Sequence, residues 1–479
     1  MLRSTKIVAT LGPASSDPAV LERMVRAGID VVRLNFSHGT AEDHRKRAEL
    51  VREVSRAAGR TVAIMCDLQG PKIRVGRFRD GKATLDRGQK FILDAACTLG
   101  DGTRVGLDYK ELPRDVAQGS VLLLDDGRIV LDVTQVLGEE IHTVVRHGGD
   151  LSNNKGINRQ GGGLSAPALT SKDIEDIRTA ASLQADYLAV SFPKSGADMY
   201  MARELLRASG GKAFLIAKIE RAEAVTNDAL RDIMNACDGI MVARGDLAVE
   251  VGDASVPALQ KKMIRLAREA NKLTITATQM MESMISSPIP TRAEVSDVAN
   301  AVLDGTDAVM LSAETASGRY PVEVIEAMHR ICLEAEQTQP LNLEQDFLNR
   351  VFTRVDQSIA MAALFTAFHL KAKAIATLTE SGSTALWMSR LNCGVPIYAL
   401  TSQTGTRYRC ALMRDVYPLM VKYVGNDREE LLMEAEKVLF QNGVVKDGDM
   451  IVLTIGEPIG KAGGTNTMKI VKVGEQRKP

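Results

Sequence analysis

The stretch GIMVARGD, residues 239–246, is an unbroken apolar run that stops at a cation, a residue without a side chain and a carboxylate. A continuous Ile, Met, Val and Ala run is what a strand covered on both faces requires, as in a parallel sheet wrapped by helices. Taken alone, its polar end also reads as a surface turn or as an Arg-Gly-Asp adhesion tripeptide.

Seven further runs share this character: KIVATLG (6–12), DVVRLNF (30–36), TVAIMCDL (61–68), YLAVSF (187–192), FLIAKIE (214–220), LTITATQM (273–280) and AVMLSAET (308–315). Most precede segments with helical spacing. DPAVLERMVRAG (17–28) ends at Gly28, a helix stop. TSKDIEDIRTAASLQA (170–185) opens with Thr170 and has Asp173 three residues on, the spacing of a capping box. AEDHRKRAELVREVSRAAG (41–59), VPALQKKMIRLAREANK (256–272) and PTRAEVSDVANAVLDG (290–305) follow suit. The fold expected is α/β, an eight-stranded β/α barrel, with an open doubly wound sheet as the alternative.

The alternation breaks once. Residues 71–167 hold short strand-like pieces separated by Asp80-Gly81, Asp101-Gly102 and Asp126-Gly127, and read as an inserted all-β lid domain, a small β-barrel. The barrel is expected to occupy 1–70 and 168–340. Residues 341–479 form a C-terminal α/β open-sheet domain, with a helix at Ser358–Leu370 and strands AIATLT (374–379), PIYALT (396–401), LMVKYV (419–424), MIVLTIG (450–456) and MKIVKV (468–473).

The bulk numbers narrow the function. Sixty basic side chains balance sixty acidic ones, which argues against a nucleic-acid footprint or an anionic-membrane surface. The N-terminal MLRSTKIVATLGPAS lacks a signal-peptide core, and the longest weakly polar stretch is thirteen residues, short of the ~20 a membrane span needs. Six scattered cysteines without a Cys-x-x-Cys pair fit a reducing, cytoplasmic setting, where an adhesion tripeptide has no use.

Polar residues collect where the strands end: Arg33, Asn35, Ser37 and His38 after the second, Asp67 at the third, Lys218 and Glu220 at the fifth, Arg244 to Asp246 at the sixth, Thr278 and Gln279 at the seventh, Ser312 and Glu314 at the eighth. In a barrel these ends share one mouth. Lys218 and Glu220, two apart, point the same way on a strand. Glu220 and Asp246, on neighbouring strands, form a carboxylate pair suited to a hard divalent cation such as Mg²⁺. Gly245 lets a ligand approach the backbone, and the following amides suit a carboxylate or phosphate. Arg33 and Arg74 add guanidinium groups for phosphate oxygens. The set suits phosphoryl transfer. No Ser-His-Asp arrangement, zinc cluster or Walker-type loop is present.

TKIVATLGPAS (5–15), VVRLNFSHG (31–39), DLQGPKIR (67–74), KIERAEAV (218–225), MVARGDLAVE (241–250), ATQMMESM (277–284) and LSAETASGRYP (311–321) together resemble pyruvate kinase, and the resemblance extends into the C-terminal domain. It implies Mg²⁺- or Mn²⁺-dependent transfer of the phosphoryl group of phosphoenolpyruvate to ADP, giving pyruvate and ATP, by a homotetramer. Carried over residue by residue, Glu220 and Asp246 are metal ligands and the Ala243, Arg244, Gly245 and Asp246 backbone holds the substrate carboxylate. Lys218 and Arg33 act on the phosphoryl group. Thr278 contacts substrate and lies on the proton-delivery side, with a contributing role. Pro13, Arg33, His38, Arg74 and Lys155 contact the nucleotide, and Ser312 and Glu314 support the site.

Many family members hold K⁺ with residues matching Asn35, Ser37, Asp67 and the carbonyl of Leu68. Here Lys72 stands where they carry glutamate, and Leu68 and Gln69 also differ. A fixed ammonium near a K⁺ site repels the ion by ~1–4 kcal/mol at ~4 Å, so K⁺ is expected not to be required. TESGSTALWMSR (379–390), through Thr379, Ser381, Gly382, Ser383 and Thr384, resembles the family's effector loop, with GEPIGKAGGTN (456–466) closing over it. A sugar phosphate or AMP is the expected activator. A metal-dependent barrel lyase or aldolase acting on pyruvate enolate, and a non-catalytic sensor, are the rival classes.

Overall fold

The computed structural model describes residues 2–338, 352–422, 427–460 and 463–475. Eight parallel strands close into a barrel in chain order: Lys6–Thr10, Val31–Asn35, Ala63–Asp67, Tyr187–Val190, Phe214–Ile219, Gly239–Ala243, Leu273–Ala277 and Ala308–Leu311. The continuous apolar runs are explained by two faces that are both buried. Ile7, Ala9, Val32, Leu34 and Ile64 pack outward under the helices, whereas Val8, Val31, Ala63, Met65, Ile216 and Met241 fill the barrel.

The helices begin and end where their sequences indicate. Asp17 caps Pro18–Ala27, and Gly28 closes it at φ 117°, a left-handed conformation that glycine adopts without a side-chain penalty. Thr170 and Asp173 form the capping box of helix Ser171–Ser182. Asp173, fully buried, does more than cap. Its Oδ2 accepts from the Thr170 amide at 2.8 Å, and its Oδ1 accepts from the Gly70 amide at 3.0 Å. One carboxylate thus ties together the chain entering the inserted domain and the chain leaving it.

The strands of the inserted domain are arranged as a six-stranded sheet, Ile157–Arg159, Val121–Leu124, Ile129–Leu137, Glu140–His147, Lys90–Asp94 and Arg104–Gly106, plus a separate pair, Lys82–Leu85 with Gly149–Ser152. The split falls at Gly148, where a Cβ would lie 2.0 Å from the Leu85 carbonyl oxygen as the chain leaves the larger sheet.

The C-terminal sheet runs Val416–Met420, Ile397–Thr401, Ala374–Leu378, Met450–Gly456 and Thr465–Lys472, the last strand antiparallel. Its third strand in sequence was expected over 419–424 and instead spans Val416–Met420. Pro418 lies within it, which an edge strand tolerates. Residues 423–424 of that expectation, residues 461–462 of the glycine-rich stretch and the expected domain boundary at 340/341 lie outside the described residues.

The C-terminal domain plugs the barrel floor. Leu412 and Met413 share the cluster of side chains that fills the barrel. Asp307, fully buried just before the eighth strand, pairs with Arg390 and accepts from the Arg414 amide at 3.0 Å. Burial opposes its ionisation, but Arg390 and the surrounding donors hold the carboxyl below its usual range.

Candidate active site

Lys218 lies on the fifth strand and Glu220 one residue past its end, facing the same way. The Lys218 ammonium sits 2.9 Å from Glu220 Oε1 and 3.3 Å from Asp67 Oδ1, and donates to Ser191 Oγ at 2.8 Å. Arg33 Nε donates to Asp67 Oδ2 at 2.6 Å, and Arg33 Nη1 donates to Thr10 Oγ1 at 3.1 Å. Burial disfavours charge on Lys218, Asp67 and Glu220. It is outweighed at Lys218, where Asp67 and Glu220 hold the pKa above the ordinary lysine value, and at Asp67, where Lys218 and Arg33 hold it below. At Glu220 burial wins, with Asp246 adding to it and Lys218 opposing, and the pKa is pushed up to about 7.

Arg244-Gly245-Asp246 is the first turn of helix Arg244–Val251, neither strand end nor loop. The Arg244 side chain is buried and turned toward the seventh strand, where Nε donates to the carbonyls of Ala277 and Thr278, each at 3.2 Å. The Gly245 amide donates to Thr278 Oγ1 at 2.9 Å. A Cβ at Gly245 would meet that hydroxyl at an ordinary 3.6 Å, so the close approach served here is to Thr278. The Asp246 side chain has no hydrogen bond or ion pair among the described residues, and the residue lines a cleft of about 580 Å³ with Gly245 and Gln279. Asp126, Gly127 and Gln160 of the inserted domain form its other wall.

Glu220 and Asp246 suit a divalent cation. A buried glutamate whose pKa is raised by burial and by the neighbouring Asp246 forms, with that aspartate, a carboxylate pair that an added cation would relieve. Among the described residues no cluster of three or more His, Cys, Asp or Glu side chains is placed to hold a metal. Two carboxylates with the remaining positions left to water and substrate oxygens match the habit of Mg²⁺.

Burial first, then Lys72, Arg33 and Arg74, depress the pKa of His38, so the imidazole and these three cationic groups share one neighbourhood. Lys72 feels Asp246 and Glu220, which partly offset the effect of burial on its ammonium. Lys155 is paired with Asp125 at 2.7 Å within the inserted domain, and Pro13 opens a short turn after the first strand. Of the four residues expected around K⁺, Asn35, Asp67 and Leu68 offer oxygens that are engaged internally. Asn35 Oδ1 accepts from the Ser37 amide at 3.1 Å, the Leu68 carbonyl accepts from Ser191 Oγ at 2.7 Å, and Asp67 is held by Arg33 and Lys218. Glu314, buried, accepts from the amides of Ser312 and Met281 and braces the end of the eighth strand.

Two residues escaped the sequence reading. Ser191, after the fourth strand, bridges Lys218 and the Leu68 carbonyl, and the adjacent Phe192 amide donates to Glu220 Oε2 at 2.8 Å. The signal was the same polar residue after an apolar run, at the one strand among those after the first that the sequence reading left without a candidate. Glu250, buried one turn beyond Asp246, accepts from the Ala222 amide at 2.7 Å, which fixes the turn after Glu220.

In the C-terminal domain, Thr379 and Thr384 line a cavity of about 230 Å³ with Thr401, Ser402 and Gly456. Ser381 and Ser383 bond each other at 3.1 Å, and Gly382 precedes helix Ser383–Met388 at φ 84°.

Fold and site define a β/α-barrel enzyme built for metal-assisted group transfer. The family description "Pyruvate kinase, barrel domain" matches residues 2–325, and "Pyruvate kinase, alpha/beta domain" matches residues 357–471. The chain is 53% identical over 476 residues to "Pyruvate kinase II" of Salmonella typhimurium, covering 98% of this chain and 99% of the relative. It is 53% identical over 461 residues to "Pyruvate kinase" of Haemophilus influenzae, covering 95% and 96%. To "Pyruvate kinase" of Geobacillus stearothermophilus it is 42% identical over 474 residues, covering 98% and 80%. The chain belongs to the pyruvate kinase family. It is a phosphotransferase, and no helix among its described residues is long and apolar enough to cross a membrane.

Proposed function

We propose that the chain transfers the phosphoryl group of phosphoenolpyruvate to ADP, yielding pyruvate and ATP. The observation that carries this reading is the Lys218 ammonium, held among Ser191, Glu220 and Asp67 beside an Asp246 without an ionic partner among the described residues. Glu220 and Asp246 would hold Mg²⁺ or Mn²⁺, which when bound supplies positive charge to the phosphoryl and carboxylate oxygens of the substrate. Lys218 presents a point charge to the phosphoryl group in transit. Amides in the first turn of helix Arg244–Val251 receive the substrate carboxylate. Arg33, Arg74, His38, Lys155 and Pro13 serve the nucleotide, with Arg33 also facing the transferred group. Thr278 contributes on the side where the enol carbon gains its proton.

The activity is independent of K⁺. Lys72 supplies charge near the metal carboxylates, and three of the groups that would coordinate K⁺, Asn35 Oδ1, the Leu68 carbonyl and the Asp67 carboxylate, already face protein donors. The hydroxyl-lined cavity at Thr379 and Thr384 supports activation by a sugar phosphate or AMP bound there. A homotetramer belongs to the same reading, and exposed Val355, Phe365 and Ile470 offer apolar surface for subunit contact.

The test is a pyruvate-formation assay with and without K⁺, repeated across sugar phosphates and AMP. ADP-dependent pyruvate formation in K⁺-free buffer is expected. Pyruvate formed without ADP favours the enolate lyase instead. Near-zero activity restored by K⁺ refutes the independence, and unchanged activation of Thr384→Ala by every effector refutes the loop.

A further inference from the structure

Thr278 and Gln279 both occupy the left-handed region, at φ 66° and 54°. Neither is glycine, and a β-branched threonine rarely adopts this conformation. Two such residues in succession persist only when their surroundings impose them. The Arg244 guanidinium grips this turn. Its Nη2 donates to the Thr278 carbonyl at 2.5 Å, and its Nε is shared between the carbonyls of Ala277 and Thr278 at 3.2 Å each. Its Nη1 is anchored by Asp297 Oδ1 at 2.7 Å, from helix Arg292–Leu303.

The hydroxyl of Thr278 is committed in both directions. It accepts from the Gly245 amide and gives its single proton to the Ala277 carbonyl at 2.7 Å. To offer a proton toward the cleft it must turn away from that carbonyl. A buried carbonyl left without a donor is unfavourable. Arg244 Nε already donates to the same oxygen, so the hydroxyl can turn without stranding it.

We propose that the side chain of Arg244 is a positioning residue for proton delivery: its guanidinium holds Thr278 in the left-handed conformation and keeps the Ala277 carbonyl partnered while the Thr278 hydroxyl turns to the substrate. This rests on the reading of Thr278 as a contributor on the proton side. It assigns to the Arg244 side chain a task separate from the backbone contact to substrate carboxylate.

The test compares the parent enzyme with Arg244→Lys, Asp297→Asn, Thr278→Ala and the double variant Arg244→Lys/Thr278→Ala. Exchange of the pyruvate methyl protons with D₂O, followed by NMR in the presence of ATP and Mg²⁺, reports proton transfer. Mn²⁺ affinity by electron paramagnetic resonance and the melting temperature report the metal site and the fold. Arg244→Lys is expected to lose about tenfold or more in exchange, with Mn²⁺ affinity within about twofold of the parent. The double variant should exchange no more slowly than Thr278→Ala alone, since both changes act on one device. Exchange at the parental rate in Arg244→Lys, losses that multiply in the double variant, or parallel loss of exchange and Mn²⁺ binding would each overturn the proposal. Unchanged exchange in Thr278→Ala overturns the reading of Thr278 itself. If Arg244→Lys does not fold, Asp297→Asn decides, because it exchanges the charged anchor of the guanidinium for a weaker neutral acceptor at a partly exposed site: a several-fold slower exchange supports the proposal and an unchanged one overturns it.

Discussion

Glu250 offers a stability prediction with a defined sign. Burial pushes its carboxyl up to about 7 from 4.5, with Glu223 and Asp246 adding to the effect and Arg221 opposing it. An acid whose folded pKa is raised keeps its proton in the native state while the unfolded chain has released it. Stability therefore falls as pH rises from about 4.5, and the loss is complete above about 7. A gap of about 2.5 units corresponds to roughly 3 kcal/mol lost at pH 8 and roughly 1 kcal/mol at pH 5. Glu250→Gln removes the titration and keeps a carbonyl oxygen for the Ala222 amide. The variant should gain about 2 kcal/mol more over the parent at pH 8 than at pH 5. At roughly 2–4 °C per kcal/mol, the melting temperature of the barrel transition should rise about 5 °C more at the higher pH. Calorimetry in EDTA, without divalent ions, measures both differences. An equal shift at the two pH values, or a larger one at pH 5, would show that Glu250 is ionised in the folded protein at neutral pH.

Lys218→Met should lower turnover by about a thousandfold or more while Mn²⁺ still binds, since both carboxylates remain; a turnover assay beside Mn²⁺ titration checks it. Gly70→Ala places a Cβ 2.7 Å from Ser191 Cβ at a φ of 67°, and should lower stability by about 1–3 kcal/mol and slow turnover through the Ser191–Lys218 contact, read by denaturant unfolding and kcat. Asp307→Ala leaves Arg390 buried without its partner and should lower stability by about 3–5 kcal/mol, measured by denaturant unfolding.

The barrel was legible because each strand is apolar on both faces, which leaves long uninterrupted runs, and because its helices carry clear caps such as Thr170 with Asp173. Lys218 and Glu220 were legible as neighbours because spacing along one strand fixes direction. What was lost has a common cause. The partner of Arg244 lies 34 residues away at Thr278, and the partner of Asp67 lies 34 residues away at Arg33, so no local pattern announces either. The Arg-Gly-Asp run looked like a turn because helix Arg244–Val251 starts without a side-chain cap. Ser191 was missed because a serine after an apolar run is common at any loop. The C-terminal strand slipped because an apolar run outweighed Pro418, which was a usable hint that the strand lay at an edge.

The ion pair between Asp307 and Arg390 bears on how the protein can be divided. A chain cut after the barrel would take Arg390 and the Arg414 amide from Asp307 and strip the cover from the side chains at the barrel floor. The catalytic half is therefore not a separable module. Chimeras that graft a foreign C-terminal domain onto this barrel must import an arginine at the matching place, or they will lose the barrel along with the part they set out to exchange.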